Sequence, residues 1–217
     1  MDLSTVTLHV PQKDKWSGRL DFCQMLSGVI LALFIMAHMV FVSSVAISPA
    51  LMTSLAEFFE STYMVQVGGP IIFALMIGHF LLAGRKMPFK GSELTAFRAQ
   101  SRMMHHMDTT LWLVQVVTAL IILVMGSTHM FMMLMDLPIT AVKSATHIQE
   151  GGWLSFYVVL FAATAIHLVV GVYRIGVKYG VITRANRLKS RKVLIYLLIA
   201  FAVISCITHI GLSYVAI

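Results

Sequence analysis

Five long apolar stretches decide what this chain can fold into. Each reaches the roughly 20 residues that a helix needs to cross a hydrocarbon core of about 30 Å. They cover about residues 22–46, 63–84, 109–135, 153–177 and 193–216. The 217 residues are 59% hydrophobic and only 12% charged, which is far too apolar for an ordinary soluble domain. Because backbone groups in hydrocarbon must bond within their own segment, we predict an all-α bundle of five transmembrane helices, formed by residues 1–217 as a single domain.

The basic residues are shared unevenly among the connections between these stretches. All but one of the 16 lysines and arginines lie before the first stretch, between the second and third, or from Arg174 to the start of the fifth; the exception is Lys143. Connections rich in lysine and arginine stay in the cytoplasm. We therefore predict a multi-pass protein of the cytoplasmic (inner) membrane with its N-terminus inside and its C-terminus outside. The net charge of +7 follows from this bias and does not indicate a nucleic-acid partner.

Four of the stretches each carry one histidine well inside the apolar run. An ionisable residue is costly in hydrocarbon and is therefore a candidate for function. With a rise of about 1.5 Å per residue, His38 and His129 lie about 24 and 30 Å from the basic side, and His79 and His167 lie about 8–10 Å from it. We call His38 and His129 the outer pair, and His79 and His167 the inner pair. The two levels are roughly 15–20 Å apart along the membrane normal.

Two pairs of histidines, each drawn from two helices, are the pattern expected of two haems clamped inside a membrane bundle. Imidazole is a standard axial ligand of haem iron, and two imidazoles leave no open position for oxygen, so such iron carries electrons. The chain has no C-x-x-C-H motif, which excludes covalent c-type attachment. Two alternatives stay open at this point: histidines that only pack or hydrogen-bond, and a haem-free transporter whose histidines line a proton path. We interpret His209, in the fifth stretch, as a core histidine; the alternatives are a ligand in place of His38 or His129, or a partner near an outer site.

The segments around the four histidines resemble one known family. They read FIMAHMVFVSS, HFLLAGRKMP, GSTHMFMM and IHLVVGVYRIGVKYG. Together they are similar to the dihaem cytochrome b membrane anchor of the quinol:fumarate reductase and succinate dehydrogenase family, in the type with one anchor polypeptide, five helices and two haems b. The resemblance covers nearly the whole chain.

The resemblance implies the rest of the complex. A flavoprotein subunit and an iron–sulfur subunit dock on the cytoplasmic face, and the dicarboxylate chemistry belongs to these partners. This chain is then the quinone-reactive electron-transfer subunit of an oxidoreductase, which oxidises menaquinol or reduces quinone within the lipid bilayer. The outer pair would hold the distal haem, and the inner pair would hold the proximal haem. The resemblance also allows a dimer of the three-subunit complex. The competing interpretation is the cytochrome b anchor of a hydrogenase or formate dehydrogenase.

Two further residues are candidates by resemblance, and one position departs from the family. Glu60 falls where the family has a glutamate that accepts a proton at the quinol site; Glu57 is a nearby competitor. Arg174 is a candidate to bind a propionate of the proximal haem, with an ordinary basic boundary residue as the alternative. Members can carry a transmembrane glutamate two residues before the fourth-helix ligand, where this chain has Ala165. A methyl group cannot relay a proton, so we expect the glutamate-dependent route to be missing.

Three local features are also predicted from helix-capping patterns. Ser54 and Glu57 form a capping box that predicts a short helix on the outer surface. Asp108 is expected to cap the start of the third span. A second short helix is predicted between residues 88 and 107, with Ser92 as its cap.

Overall fold

The computed structural model describes residues 15–87 and 107–217, together with residues 91, 92, 95, 96, 99 and 103. Within these residues the secondary structure is entirely helical, and five helices are long and apolar enough to cross a membrane. We call them the first to fifth spans: Lys15–Ala46, Met64–Gly84, Met107–Met135, Leu154–Lys178 and Arg187–Ser213. The predicted all-α bundle of five spans is confirmed.

The first three spans each change helical geometry along their length. The first span is α-helical over Lys15–Ser43 and ends in a 3₁₀ turn. The second span opens with a π turn at Met64–Gly68, which precedes the α-helix Gly69–Gly84. In the third span, a π turn at Ile122–Gly126 joins the α-helices Met107–Ile121 and Ser127–Met135. A π turn holds more residues than an α turn, so the residues after it point in a different direction. His129 follows the π turn of the third span.

Two short helices lie in the connections at one end of the bundle, which we call the loop-helix end. The first loop helix is Pro49–Ser61 and the second is Ala141–Gln149. The predicted helix after the first span therefore exists, but the predicted capping box is wrong. Ser48 occupies the N-cap position and Pro49 the first helical position, where its missing N–H costs nothing, so Ser54 lies in the helix interior.

Two predicted boundaries at the other end of the bundle also need correction. Met107 is already helical, so Asp108 lies inside the described helix Met107–Ile121 and does not cap it. The fifth span begins at Arg187, six residues before the predicted start. The predicted helix between residues 88 and 107 lies largely outside the described residues.

Ion pairs at this end join the ends of the second and fourth spans to one carboxylate on the first span. Asp21, near the start of the first span, accepts hydrogen bonds from Arg85 Nη2 at 3.2 Å, Lys86 Nζ at 2.6 Å and Lys178 Nζ at 3.2 Å. Partly exposed ion pairs add only about 0–1 kcal/mol each to stability. Their significance is positional: the start of the first span and the ends of the second and fourth spans lie together at what we call the basic end.

A cluster of tightly buried apolar side chains lies at the loop-helix end. It comprises seven side chains from the first span, both loop helices and the C-terminal end: Val45, Met52, Ala141, Ala145, Ile148, Leu212 and Val215. Many large apolar side chains along the spans are instead exposed, Leu33, Leu81 and Phe131 among them. Lipid tails are as apolar as these side chains, so a bundle in a bilayer does not have to bury them.

Candidate functional site

The structure brings the two histidines of the outer pair into contact. The ring centroids of His38, on the first span, and His129, on the third, are 6.0 Å apart with the rings inclined by 64°. Two imidazoles that bind one metal ion from opposite sides through bonds of about 2 Å have centroids roughly 6 Å apart. The observed separation therefore fits a pair of rings that share one metal ion.

Aromatic rings surround the outer pair. Phe34 stacks on His38 with a centroid distance of 5.7 Å, and Phe41 lies 6.3 Å from it. Tyr157, on the fourth span, meets the His129 ring edge to face at 5.5 Å, and its hydroxyl oxygen lies 3.4 Å from His129 Nδ1. Sequence reasoning missed Tyr157, because only the packing of the fourth span shows which of its residues faces His129.

The first histidine of the inner pair packs against the first span. His79 Nδ1 lies 2.9 Å from the hydroxyl oxygen of Ser27. A Cβ atom added at Gly28 would stand 2.9 Å from His79 Cε1, closer than real Cβ contacts allow. Gly28 therefore gives the imidazole room to approach the backbone of the first span.

The second histidine of the inner pair packs against the third span. His167 Nδ1 lies 3.1 Å from Thr118 Oγ1, and His167 Nε2 lies 3.1 Å from the amide nitrogen of Gln115. The other end of that amide, Gln115 Oε1, is buried without a hydrogen-bond partner. His79 lies within electrostatic reach of His167, so the two inner rings lie in the same part of the bundle.

The contacts of the inner pair also show the vertical distance between the two levels. Ser27, against which His79 packs, precedes His38 by 11 residues, and Thr118, against which His167 packs, precedes His129 by 11 residues. Eleven residues of helix rise roughly 16 Å. This separation lies within the 15–20 Å expected from counting along the sequence, while the role of the four histidines as ligands stays a prediction.

One sequence pattern could have revealed the hydroxyl partners of the inner pair. The first span carries Gln24, Ser27 and His38, and the third carries Gln115, Thr118 and His129 at the same spacing, Q-x-x-[ST]-x10-H. In each span the hydroxyl of this pattern contacts an inner histidine on the next span. The pattern is inconspicuous in the sequence because it consists of three polar positions within otherwise unrelated apolar residues.

Glu60 lies at the end of the first loop helix, close to the outer pair. Its carboxylate accepts a hydrogen bond from the backbone N–H of Ile139, and its side chain is half-buried. The preceding residue, Phe59, meets Phe41 edge to face at 5.7 Å, and Phe41 in turn contacts His38. The competitor Glu57 is exposed. The structure thus joins Glu60, and not Glu57, by a hydrogen bond to the segment before the second loop helix, while the neighbouring Phe59 reaches the surroundings of His38.

Arg174 lies two helical turns beyond His167, toward the basic end. It is half-buried and interacts electrostatically with both His167 and Asp108. The Asp108 carboxylate also accepts a hydrogen bond of 3.1 Å from the hydroxyl of Tyr173. Arg174 is therefore near the inner level, between His167 and the polar network at the ends of the third and fourth spans.

Two other residues singled out by the sequence occupy unremarkable positions. Ala165 is buried in the fourth span, with 3% of its surface exposed. His209 Nδ1 donates to the backbone carbonyl of Ser205, one turn earlier on the fifth span, at 2.8 Å. This contact is satisfied within the helix and agrees with the interpretation of His209 as a core histidine.

The five spans define a polytopic helical membrane protein, and four of them carry a histidine at one of two levels. Bundles of this kind can bind prosthetic groups between facing helices. Residues 92–206 match the succinate dehydrogenase/fumarate reductase transmembrane subunit family. Fumarate reductase cytochrome b subunits from two strains of Helicobacter pylori are 31% identical to the chain over 202 residues, covering 88% of it and 79% of each relative. The corresponding subunit of Wolinella succinogenes is 30% identical over 210 residues, covering 89% of this chain and 82% of the relative.

The chain therefore belongs to the succinate dehydrogenase/fumarate reductase transmembrane subunit family, and the resemblance inferred from the histidine segments is confirmed. Its place is that of a membrane anchor within an oxidoreductase complex. Family membership disfavours the two rival interpretations, the anchor of a hydrogenase or formate dehydrogenase and a haem-free transporter.

Proposed function

We propose that this chain is the quinone-reactive cytochrome b subunit of a fumarate reductase or succinate dehydrogenase complex. It binds two haems b and connects a quinone at the loop-helix end with an iron–sulfur subunit at the basic end. The observation that carries the proposal is the contact between His38 and His129, two rings from different spans whose centroids lie 6.0 Å apart. The name shared by the Helicobacter and Wolinella relatives, fumarate reductase cytochrome b subunit, supports it.

The residues present fit two haems b. His38 and His129 would hold the distal haem, and His79 and His167 would hold the proximal haem. Gly28 leaves space against His79, and the unpartnered Gln115 Oε1 shows that the polar groups around His167 are incompletely satisfied by protein alone. When bound, the two haems would supply one-electron carriers. Arg174 is placed to pair with a proximal propionate, because charge-assisted bonds favour a guanidinium opposite a carboxylate.

At the loop-helix end, Glu60 is our candidate for the proton acceptor during menaquinol oxidation. Quinol oxidation releases two protons, and a carboxylate near the outer pair is a suitable general base. The bond from Ile139 N–H holds the Glu60 side chain while leaving its other oxygen available. Reduction of a quinone would use the same residues in the reverse direction.

The basic end is our candidate for the cytoplasmic face, where the iron–sulfur subunit docks and the flavoprotein subunit carries the dicarboxylate chemistry. Arg85, Lys86 and Lys178 converge there on Asp21, and lysine-rich and arginine-rich connections stay inside. In this assignment the protein lies in the inner membrane. The family resemblance allows two copies of the three-subunit complex to associate as a dimer. Co-purification of a flavoprotein and an iron–sulfur protein with this chain is expected; a hydrogenase or formate dehydrogenase partner would overturn this assignment.

Ala165 bears on whether turnover of the proposed complex moves net charge across the membrane. The family's glutamate at this position is thought to return protons through the membrane, and a charge that crosses is worth about 2.3 kcal/mol per 100 mV. We propose that this protein lacks that route, so that turnover moves net charge across the membrane. Charge movement is measured in proteoliposomes during turnover with a membrane-permeable quinol. Fully electroneutral turnover would contradict the proposal.

The decisive experiment for the function is a reduced-minus-oxidised absorption spectrum of the purified complex, together with its haem content. We expect two haems b per chain with the spectrum of bis-histidine ligation. A preparation of intact complex without any haem signal would overturn the proposal and return the transporter interpretation to consideration.

A further inference from the structure

The two hydroxyls that contact the inner pair have already committed their protons. A serine or threonine hydroxyl has one proton to donate and two lone pairs that accept. Ser27 Oγ donates to the carbonyl of Gln24 at 3.0 Å. Thr118 Oγ1 donates to the carbonyl of Val114 at 2.7 Å, with the carbonyl of Gln115 at 3.2 Å. With its proton directed to that carbonyl, each hydroxyl oxygen meets its histidine as an acceptor.

The acceptor role of the two hydroxyls assigns the ring proton of His79 and of His167 to one nitrogen. Ser27 Oγ lies 2.9 Å from His79 Nδ1, and Thr118 Oγ1 lies 3.1 Å from His167 Nδ1. An acceptor oxygen needs a donor, so Nδ1 of each neutral ring carries the hydrogen and Nε2 keeps its lone pair. The surroundings of His167 agree, because Gln115 presents an amide nitrogen, which is a donor, 3.1 Å from His167 Nε2. This amide would give up the Nε2 lone pair to the iron when haem binds.

Resting on the function proposed above, we propose that Ser27 and Thr118 are positioning residues that hold His79 and His167 in the Nδ1-protonated tautomer and present both Nε2 lone pairs to the proximal haem iron. A ligating histidine whose other N–H is hydrogen-bonded is fixed in orientation and becomes a stronger electron donor. The two hydroxyls act from opposite sides on one haem, so their effects on that haem add.

The burial of these hydroxyls supports a role beyond local structure. Ser27 and Thr118 are 7% and 6% exposed, in spans where most side chains are apolar. A hydrogen bond to a carbonyl of its own helix does not require a hydroxyl to lie beside an imidazole of the next span. Both nevertheless stand three residues after a glutamine and contact an inner histidine, and this arrangement occurs twice in the chain.

The test uses the intact complex with Thr118→Val, which keeps the shape of the side chain and removes the hydroxyl, and with Ser27→Ala. Both haems are followed in a redox titration monitored by absorption. We expect full haem content, an unchanged outer haem, and a proximal haem that is easier to reduce by about threefold to tenfold in each variant. Tenfold corresponds to 59 mV for one electron. The direction follows because a less strongly donating imidazole stabilises the ferric form less.

Three further variants separate positioning from general packing. Thr118→Ser keeps the hydroxyl and is expected to restore the wild-type potential. The double variant Ser27→Ala with Thr118→Val is expected to show the sum of the two shifts. Thr208→Val is the matched control, because Thr208 is 5% exposed and its hydroxyl donates to its own helix at Ile204, so its removal is expected to shift neither haem.

The outcomes distinguish this inference from the proposed function. A wild-type complex without haem overturns the function on which the inference rests. Two haems in every variant, with a proximal potential equal to that of the wild type in both Thr118→Val and Ser27→Ala, overturns the inference and leaves the function standing. If one variant does not assemble, the other tests the same haem from the opposite side.

Discussion

The two levels of histidines are built in different ways. At the outer level the rings of His38 and His129 touch each other and are packed among Phe34, Phe41 and Tyr157. At the inner level each ring is instead held through Nδ1 by a hydroxyl of the neighbouring span. Aromatic contacts tolerate a range of orientations, whereas a hydrogen bond has a preferred direction and a defined donor. The comparison indicates an outer pair set by packing and an inner pair set by directional bonds.

The surroundings of the two levels differ in the same way. The outer pair lies toward the loop-helix end, beside the buried apolar cluster and the half-buried Glu60. The inner pair lies toward the basic end, where Asp21 binds three cations and Arg174 faces Asp108. The end that we assign to quinone thus combines a buried apolar cluster with the held carboxylate of Glu60 and an ion pair between Lys143 and Asp136, and the end that we assign to a protein partner gathers several cations around Asp21.

The largest effects test whether the two levels are independent. Alanine at His79 or His167 is expected to remove the proximal haem and leave the distal one, and alanine at His38 or His129 is expected to do the reverse. Each variant should lose about half of the haem absorbance and all electron transfer from quinol to fumarate, because the ligand is missing. Haem content and redox titration of the purified complex measure this.

His209→Ala is the control for these four variants, since its ring bonds within its own helix. It should retain both haems. Full pigment content in any of the four ligand variants would contradict the pairing.

A second prediction concerns only the outer level. Glu60→Gln keeps the shape of the side chain and removes the proton acceptor, so quinol oxidation should fall by about 100-fold, the lower range of general-base contributions. Both haems should be retained with their wild-type spectrum. Glu57→Gln, an exposed neighbour, is the matched control. Steady-state quinol oxidation measures the difference, and equal activity of the two variants would remove Glu60 from the quinol site.

A third prediction concerns only the inner level. Gly28→Ala would place a methyl group 2.9 Å from His79 Cε1, so the ring must move away from Ser27. We expect partial loss of the proximal haem and no change at the distal haem. Gly18→Ala, on the same span with open space around its Cβ position, is the control. A proximal haem that is fully retained at its wild-type potential would show that the approach of His79 to the first span is not required.

The smallest expected effect sharpens the comparison between packing and hydrogen bonding. The Tyr157 hydroxyl lies 3.4 Å from His129 Nδ1, a long contact beside the 3.1 Å bond between Thr118 and His167. Tyr157→Phe should therefore change the reduction equilibrium of the distal haem by less than about threefold, below the effect of Thr118→Val on the proximal haem. The same redox titration compares them. A larger effect at Tyr157 would mean that the outer pair is also held by directional bonding.

The number and placement of the spans could be predicted because hydrophobic length is recorded directly in the sequence. The depth of each histidine followed from its distance to the nearest basic connection. Helix ends were predicted less well: the first loop helix begins at Pro49 and the fifth span at Arg187, because capping patterns compete with one another and with packing. The contact of Glu60 with Ile139 was beyond prediction, since it joins residues 79 positions apart.

By itself, the sequence determined that this chain is a five-span membrane bundle with histidines at two depths, because hydrocarbon requires helices of a certain length and a helix converts residue number into height. Only the tertiary structure decided which neighbour each histidine meets. That choice depends on the rotation of each helix about its axis, which the π turn at Ile122–Gly126 and the packing of the spans set together. Ser27, Thr118 and Tyr157 became visible as partners of the histidines only once those rotations were known.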